Sequence, residues 1–143
     1  KKFIEYHKLP ISNVHGTGKK GLEYIPKDYF VKKLRSRAMI DDTLYKLIQL
    51  RDAPTHLFFL SRPWSKHELK DLTGDLKDRI TVISDWREFS NELLRMKVLH
   101  EAICYYNGWV NDWKVSKDIY NFYFSNKKLC ESYIKKYNSE IAA

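Results

Sequence analysis

The residues best placed to do chemistry in this chain are cations set among glycines. His15-Gly16-Thr17-Gly18-Lys19-Lys20-Gly21 combines backbone freedom with two ammonium groups, which is what a loop needs to hold one phosphate. It is not a P-loop. That motif needs glycine six residues before its lysine and Ser or Thr after it. Six before Lys19 stands Asn13, six before Lys20 stands Val14, and the residues that follow are Lys20 and Gly21. Gly16, Gly18 and Gly21 do spell G-x-G-x-x-G, but no apolar strand leads in and no helix begins at once. The run reads as a basic turn, with Lys19 and Lys20 as phosphate contacts.

Charge is unevenly spread. Residues 1–37 carry 10 Lys+Arg against 3 Asp+Glu, or +7; residues 38–113 carry 10 against 12, or −2; residues 114–143 carry 6 against 3, or +3, which together make the net +8. Concentrated cations hold polyanions by releasing condensed counterions. Lys32, Lys33, Arg35 and Arg37 are the densest group, and they join Lys19 and Lys20 as the expected nucleic-acid contacts. A second set lies near the C-terminus. Trp109, Trp113, Tyr120, Phe122 and Tyr123 could stack on bases, with Lys114 and Lys117 beside them for phosphates. An aromatic strand alternates faces, so half of such rings go to the core, and core is the favoured place for Trp109 and Trp113.

Catalytic patterns are sparse. The five histidines (7, 15, 56, 67 and 100) form no His-x₃-His pair, so no metal site and no cofactor is expected. His100 is expected at the edge of the core. Ser61 and Ser84 follow apolar runs, without the glycines of a nucleophile elbow. No catalytic residue is assigned.

The elements that position these residues follow from hydrophobic period and caps. Residues 1–26 read as a basic irregular arm, with short strands at "KKFIEY" and "GLEYIP". Pro26 suits a helix start, and a helix is expected over Lys27–Arg37 with Phe30, Leu34 and Ala38 on one face. Asp41-Asp42 opens a second helix to about Arg51, ended by Pro54. "THLFFLS" is a buried strand, and Ser65 with Glu68 a capping box whose helix Gly74 terminates. "RITVIS" is a second buried strand. Asp85 with Glu88 caps a helix to about Tyr106 with Trp86, Phe89, Leu93, Met96 and Ile103 in one stripe, and Asn107-Gly108 breaks it. An aromatic strand "IYNFYF" (Ile119–Phe124) and a closing helix from about Ser125, with Leu129, Tyr133 and Ile134 inward, complete the chain. The expected fold is α/β: a small mixed sheet with a parallel strand-helix-strand-helix unit over 27–106, and an aromatic strand-helix unit over 107–143 packed on it.

Composition sets bounds. At 143 residues with 43% hydrophobic content the chain can bury one domain core. No apolar run approaches the roughly 18 residues of a membrane span, and no membrane partner is expected. Cys104 and Cys130 stand 26 positions apart in expected helices and read as buried thiols in a reducing, intracellular setting: host cytoplasm or virion.

Three resemblances complete the reading. The tripeptide "HGT" resembles one in ADP-ribosyltransferases, where the histidine holds the nicotinamide nucleotide; the likeness covers three residues. Residues 55–94, "THLFFLSRPWSKHELKDL" and "DRITVISDWREFSNELL", resemble the later half of the Mrr-type restriction endonuclease fold. That family's chemistry needs an Asp and a Glu-x-Lys converging on a divalent metal. Upstream of Thr55 stand Glu5, Glu23, Asp28, Asp41 and Asp42, but no Glu-x-Lys, so this resemblance implies a nuclease-fold protein acting on DNA or an inactive relative of one. "LHEAICYYNGWVNDWKVSKDIYNFYF" with "SNKKLCESYIKKYNSEI" resembles a tail module of tailed-phage proteins of gut bacteria. The matching residues are Asn107, Gly108, Trp109, Asp112, Trp113, Tyr120, Tyr123, Ser125 and Leu129, with Cys130 in place of the usual Ala. This resemblance implies phage or prophage origin and no activity. The expected function is a non-enzymatic basic binding protein engaging DNA, RNA or a nucleoprotein assembly. The rivals are a nuclease-fold protein acting on DNA and a structural or inhibitory subunit docking on an acidic protein partner.

Overall fold

The computed structural model describes residues 25–110 and 116–141, together with Tyr6 and Lys8; the side chains at 116, 117 and 120 are not among them. The expected strands "KKFIEY" and "GLEYIP" and the "HGTGKKG" turn lie outside the described residues. So do Trp113 and Lys114.

Three strands form one sheet in the order β1 (Ala38–Asp41), β2 (His56–Leu60), β3 (Ile80–Ile83). All three are parallel, with Ala38 opposite His56 and Leu57 opposite Ile80. The α/β reading and the parallel unit therefore stand, and among the described residues the sheet has parallel pairings only, where a mixed sheet was expected. β2 lies in the centre and is buried at all five positions, as a parallel strand covered on both faces must be.

The period of two along β2 divides the core. Leu57 and Phe59 point to one face, where Val31, Leu44, Leu47, Leu50, Leu72 and Ile80 pack. Phe58 and Leu60 point to the other, with Ile83, Met96, Leu99, Ile103, Cys104, Ile119 and Cys130. The first face is covered by α1 (Lys27–Lys33), α2 (Leu44–Ile48), a 3₁₀ segment (Lys66–Asp71) and α3 (Asp75–Arg79). The second is covered by α4 (Trp86–Asn107), α5 (Ser116–Ser125) and α6 (Lys127–Ile141). Cys104 and Cys130 are buried free thiols, as their apolar neighbours suggest. Burial pushes the Cys130 thiol up to about 11.

Local signals explain which boundaries held. Asp85 caps α4 by accepting from Glu88 N at 2.8 Å. The Glu88 carboxylate reaches back to Ser84 N and Oγ, both at 2.7 Å, and those bonds hold its pKa below the usual value. Gly108 ends α4 in the left-handed region at φ 65, as the Asn-Gly break requires. Pro26 is the N-cap of α1.

Other expectations are corrected. The first helix stops at Lys33, and Ala38 opens β1 instead of extending the helical face. The helix after Asp41-Asp42 spans only Leu44–Ile48. Asp41 does not cap it but accepts from Thr43 N at 2.9 Å, while Leu44 N donates to Glu68 Oε2 at 2.8 Å. Glu68 is therefore no capping-box partner of Ser65, whose hydroxyl accepts from Arg62 N. Gly74 begins α3 instead of ending a helix. The largest correction is at Ile119–Phe124, which lies inside helix α5 and is no strand. Ile119, Phe122 and Tyr123 meet the core from it at helical spacing. Trp86 and Leu93, assigned to the inward stripe of α4, are exposed, as is Leu129 of α6.

Candidate nucleic-acid interface

α1 and the turn that follows it carry the densest group of cations singled out in the sequence. The core face of α1 is Val31, with Phe30 partly covered, which leaves the rest of the surface to water. Lys32, Lys33, Arg35 and Arg37 are all exposed. Lys32 Nζ lies 3.5 Å from Asp28 one turn earlier, and Lys33 Nζ stands 5.5 Å above the Tyr29 ring. An exposed i,i+4 pair contributes only about 0.3–0.5 kcal/mol, so Asp28 leaves Lys32 available to a phosphate. By contrast, Lys27 is tied to the buried Asp41 carboxylate at the end of β1.

The turn after α1 has an unusual backbone. Arg35 N donates to Lys32 O at 3.2 Å and Ser36 N to Val31 O at 3.0 Å. That pair of bonds is the Schellman helix ending, whose left-handed position is normally glycine. Here it is Arg35, at φ 50. A non-glycine residue there is strained by about 1 kcal/mol.

Lys19, Lys20 and Lys114, and the side chain of Lys117, lie outside the described residues, so their relation to α1 is not part of this geometry. The aromatic residues proposed for stacking are mostly core. Trp109 and Phe122 pack edge to face at 5.7 Å and both lean on the cluster around Phe58. Tyr123 packs there as well.

The carboxyl ends of the strands hold a second group. After β2, Trp64 is 66% exposed, and its Nε1 donates to Asp42 Oδ2 at 3.1 Å, tying the loops that follow β1 and β2. After β3, Trp86 is 59% exposed and rests edge-on against Phe89 at 5.8 Å. The two loops leave register-paired strand ends, and Ser61 N still bonds Ile83 O at 2.8 Å. Arg62 and Lys66 lie two residues either side of Trp64 in the chain and Arg87 directly follows Trp86, and none of the three is in a salt bridge among the described residues.

No family model, curated protein or solved structure matches the chain.

At the opposite, amino end of the strands a cleft of about 630 Å³ is lined by Arg51, Asp52, Asp75, Leu76, Asp78, Arg79 and Phe124. Its size suits a small ligand. Two of its carboxylates are already paired: Asp52 with Arg51 at 3.7 Å, and Asp78 with Lys127 of α6, outside the lining, at 2.5 Å. Among the described residues no three His, Cys, Asp or Glu side chains gather as a metal site. Trp64 and Trp86 were missed as candidate binding groups. The available signal was position: each comes within four residues of a strand's carboxyl end, where ligands gather in open α/β sheets.

Proposed function

We propose that this protein is a non-enzymatic basic binding protein of phage or mobile-element origin that engages nucleic acid, DNA or RNA, or a nucleic-acid-bearing assembly. The observation that carries this reading is the exposure of Lys32, Lys33, Arg35 and Arg37 within six residues at the end of α1. Two facts support it. Lys32 is held only by the weak, exposed contact with Asp28 one turn earlier, which leaves it available to a phosphate. Arg35 keeps its cation at a backbone position where glycine would be less strained. Contacts of this kind hold phosphates without reading sequence. Lys19, Lys20, Lys114 and Lys117 extend the same proposal. The origin rests on the residue pattern from Asn107 to Leu129.

Neutralising Lys32, Lys33, Arg35 and Arg37 together tests it. Each phosphate contact contributes about 0.7–0.9 to the slope of log affinity against log salt. The variant is expected to lose two or more such increments in a titration across salt. An unchanged slope, or no binding by the wild-type protein at low ionic strength, overturns the reading. Recovery with a protein partner that survives nuclease treatment would replace it with the structural-subunit alternative.

A further inference from the structure

Trp64 and Trp86 share three properties. Each is mostly exposed, each is held at one edge by a specific contact, and each leaves the carboxyl end of an adjacent parallel strand. The holding contacts matter. Trp64 is fixed through its indole N–H to Asp42. Trp86 is fixed through Phe89, whose ring is in turn edge to face with the fully buried Phe58 at 5.1 Å. Rings that are ordered before a ligand arrives lose little entropy when it binds.

The charge around them selects the kind of ligand. Arg62, Lys66 and Arg87 are offset by Asp42, Asp85 and Glu88, so the local sum is near zero. A near-neutral surface draws either kind of phosphate backbone only weakly by charge, so ring contact has to decide between them. What it presents is ring area. A duplex keeps its base faces stacked inside, whereas a single strand exposes them, and base–aromatic stacking tolerates any sequence. The three acids are also engaged within the fold: Asp42 by Trp64, Asp85 by Glu88 N, and Glu88 by Ser84. Arg62, Lys66 and Arg87 remain for the phosphates between stacked bases.

We propose that Trp64 and Trp86 form a stacking platform for unpaired bases of single-stranded nucleic acid, with Arg62, Lys66 and Arg87 contacting the intervening phosphates. The proposal rests on the nucleic-acid reading above and names its substrate class. The two surfaces lie at opposite ends of the sheet, because Arg37 enters the amino end of β1 and both tryptophans follow carboxyl ends, so one strand meets both only by running along the sheet. The start of α1 is pinned to the end of β1 by the Lys27–Asp41 pair, and seven helical residues span about 10 Å from there to the cationic turn.

The test uses the full chain and two fluorescein-labelled probes, a twelve-nucleotide thymidine strand and a twelve-base-pair duplex, read by anisotropy at low salt. Thermal melting of each variant accompanies the titrations; both tryptophans are largely in water, so Trp64→Ala and Trp86→Ala are expected to melt near the wild type. Each is expected to weaken single-strand binding about tenfold. Duplex binding and the salt slope should stay within twofold. Trp64→Phe keeps a ring but lacks the N–H that bonds Asp42, so it should restore part of the loss. If the tryptophan variants bind the single strand as the wild type does while the α1 charge variant is weakened, the platform is overturned and the nucleic-acid reading survives. An equal loss on both probes also overturns the platform. If the wild-type protein binds neither probe, both proposals fall.

Discussion

His56 Nε2 lies 2.8 Å from His100 Nε2, a buried hydrogen bond that joins the first residue of β2 to the middle of α4. One ring must donate and the other accept, so the acceptor ring must be neutral and the contact is lost when both imidazoles are protonated. Burial, then the His100 and Arg79 charges, pushes His56 down to about 2. Burial and Arg37 push His100 down to about 4. In the unfolded chain both return to about 6.5. Between pH 6.5 and 4 the unfolded state therefore binds more protons than the folded one, and stability must rise with pH across that window. Denaturant unfolding from pH 4 to pH 8 is expected to show a plateau above about 6.5 and a decline below it. Replacing both histidines together (His56→Phe with His100→Leu) should flatten the decline. A wild-type profile that is level from pH 7 to pH 4.5 would show that the pair does not carry this linkage.

Arg79 closes the amino end of the sheet. Its Nε donates to Arg51 O and its Nη2 to Thr55 O, both at 2.7 Å, and Nη2 also bonds Ala53 O. One planar guanidinium thus serves three carbonyls of the loop that leads from α2 into β2, with the Phe124 ring 5.8 Å away. A lysine has the charge but not the fork. Arg79→Lys is expected to cost about 2 kcal/mol, the scale of losing charge-assisted bonds to partly buried carbonyls, and Arg79→Met at least as much. Urea unfolding measures it; a loss under about 0.5 kcal/mol would mean that the loop holds without its clamp.

The same residues show what the sequence could and could not disclose. β2 and β3 were legible because a short apolar run between turn residues leaves a parallel strand few alternatives. α4 was legible because Asp85, Glu88 and Gly108 mark both ends. β1 was not. Ala38 completes a helical face with Phe30 and Leu34, and only pairing with β2 decides against it. Ile119–Phe124 failed for a related reason. Five of its six residues are aromatic or β-branched and suit a strand, yet Ile119, Phe122 and Tyr123 fit 3.6 equally well, and the core around Phe58 takes the helix. Ser65 and Glu68 had the spacing of a capping box, but Leu44 N, 24 residues away, claims the Glu68 carboxylate. At the candidate interface, the cations of α1 could be named from charge density alone. Trp64 and Trp86 could not, because exposure depends on which strand end each one follows.

Arg35 separates stability from binding in a single position. It occupies the left-handed slot after α1 at φ 50, as Gly108 does after α4 at φ 65. Gly108 adopts that conformation without strain, and Arg35 does not. Arg35→Gly should therefore stabilise the fold by about 0.5–1 kcal/mol. The sign is the informative part, since most surface substitutions fall within about 0.5 kcal/mol of zero. If Arg35 also contacts a phosphate, the same variant should bind nucleic acid more weakly at low salt and reduce the salt slope by about 0.7–0.9. Arg35→Asn is the control: it also removes the cation, but asparagine tolerates the left-handed region less fully than glycine, so it should share the binding loss with a smaller gain in stability. Thermal melts read beside salt titrations make the comparison. A variant that is more stable and binds unchanged would mean that the strain at Arg35 is not kept for a phosphate, and the cationic turn would lose its strongest residue.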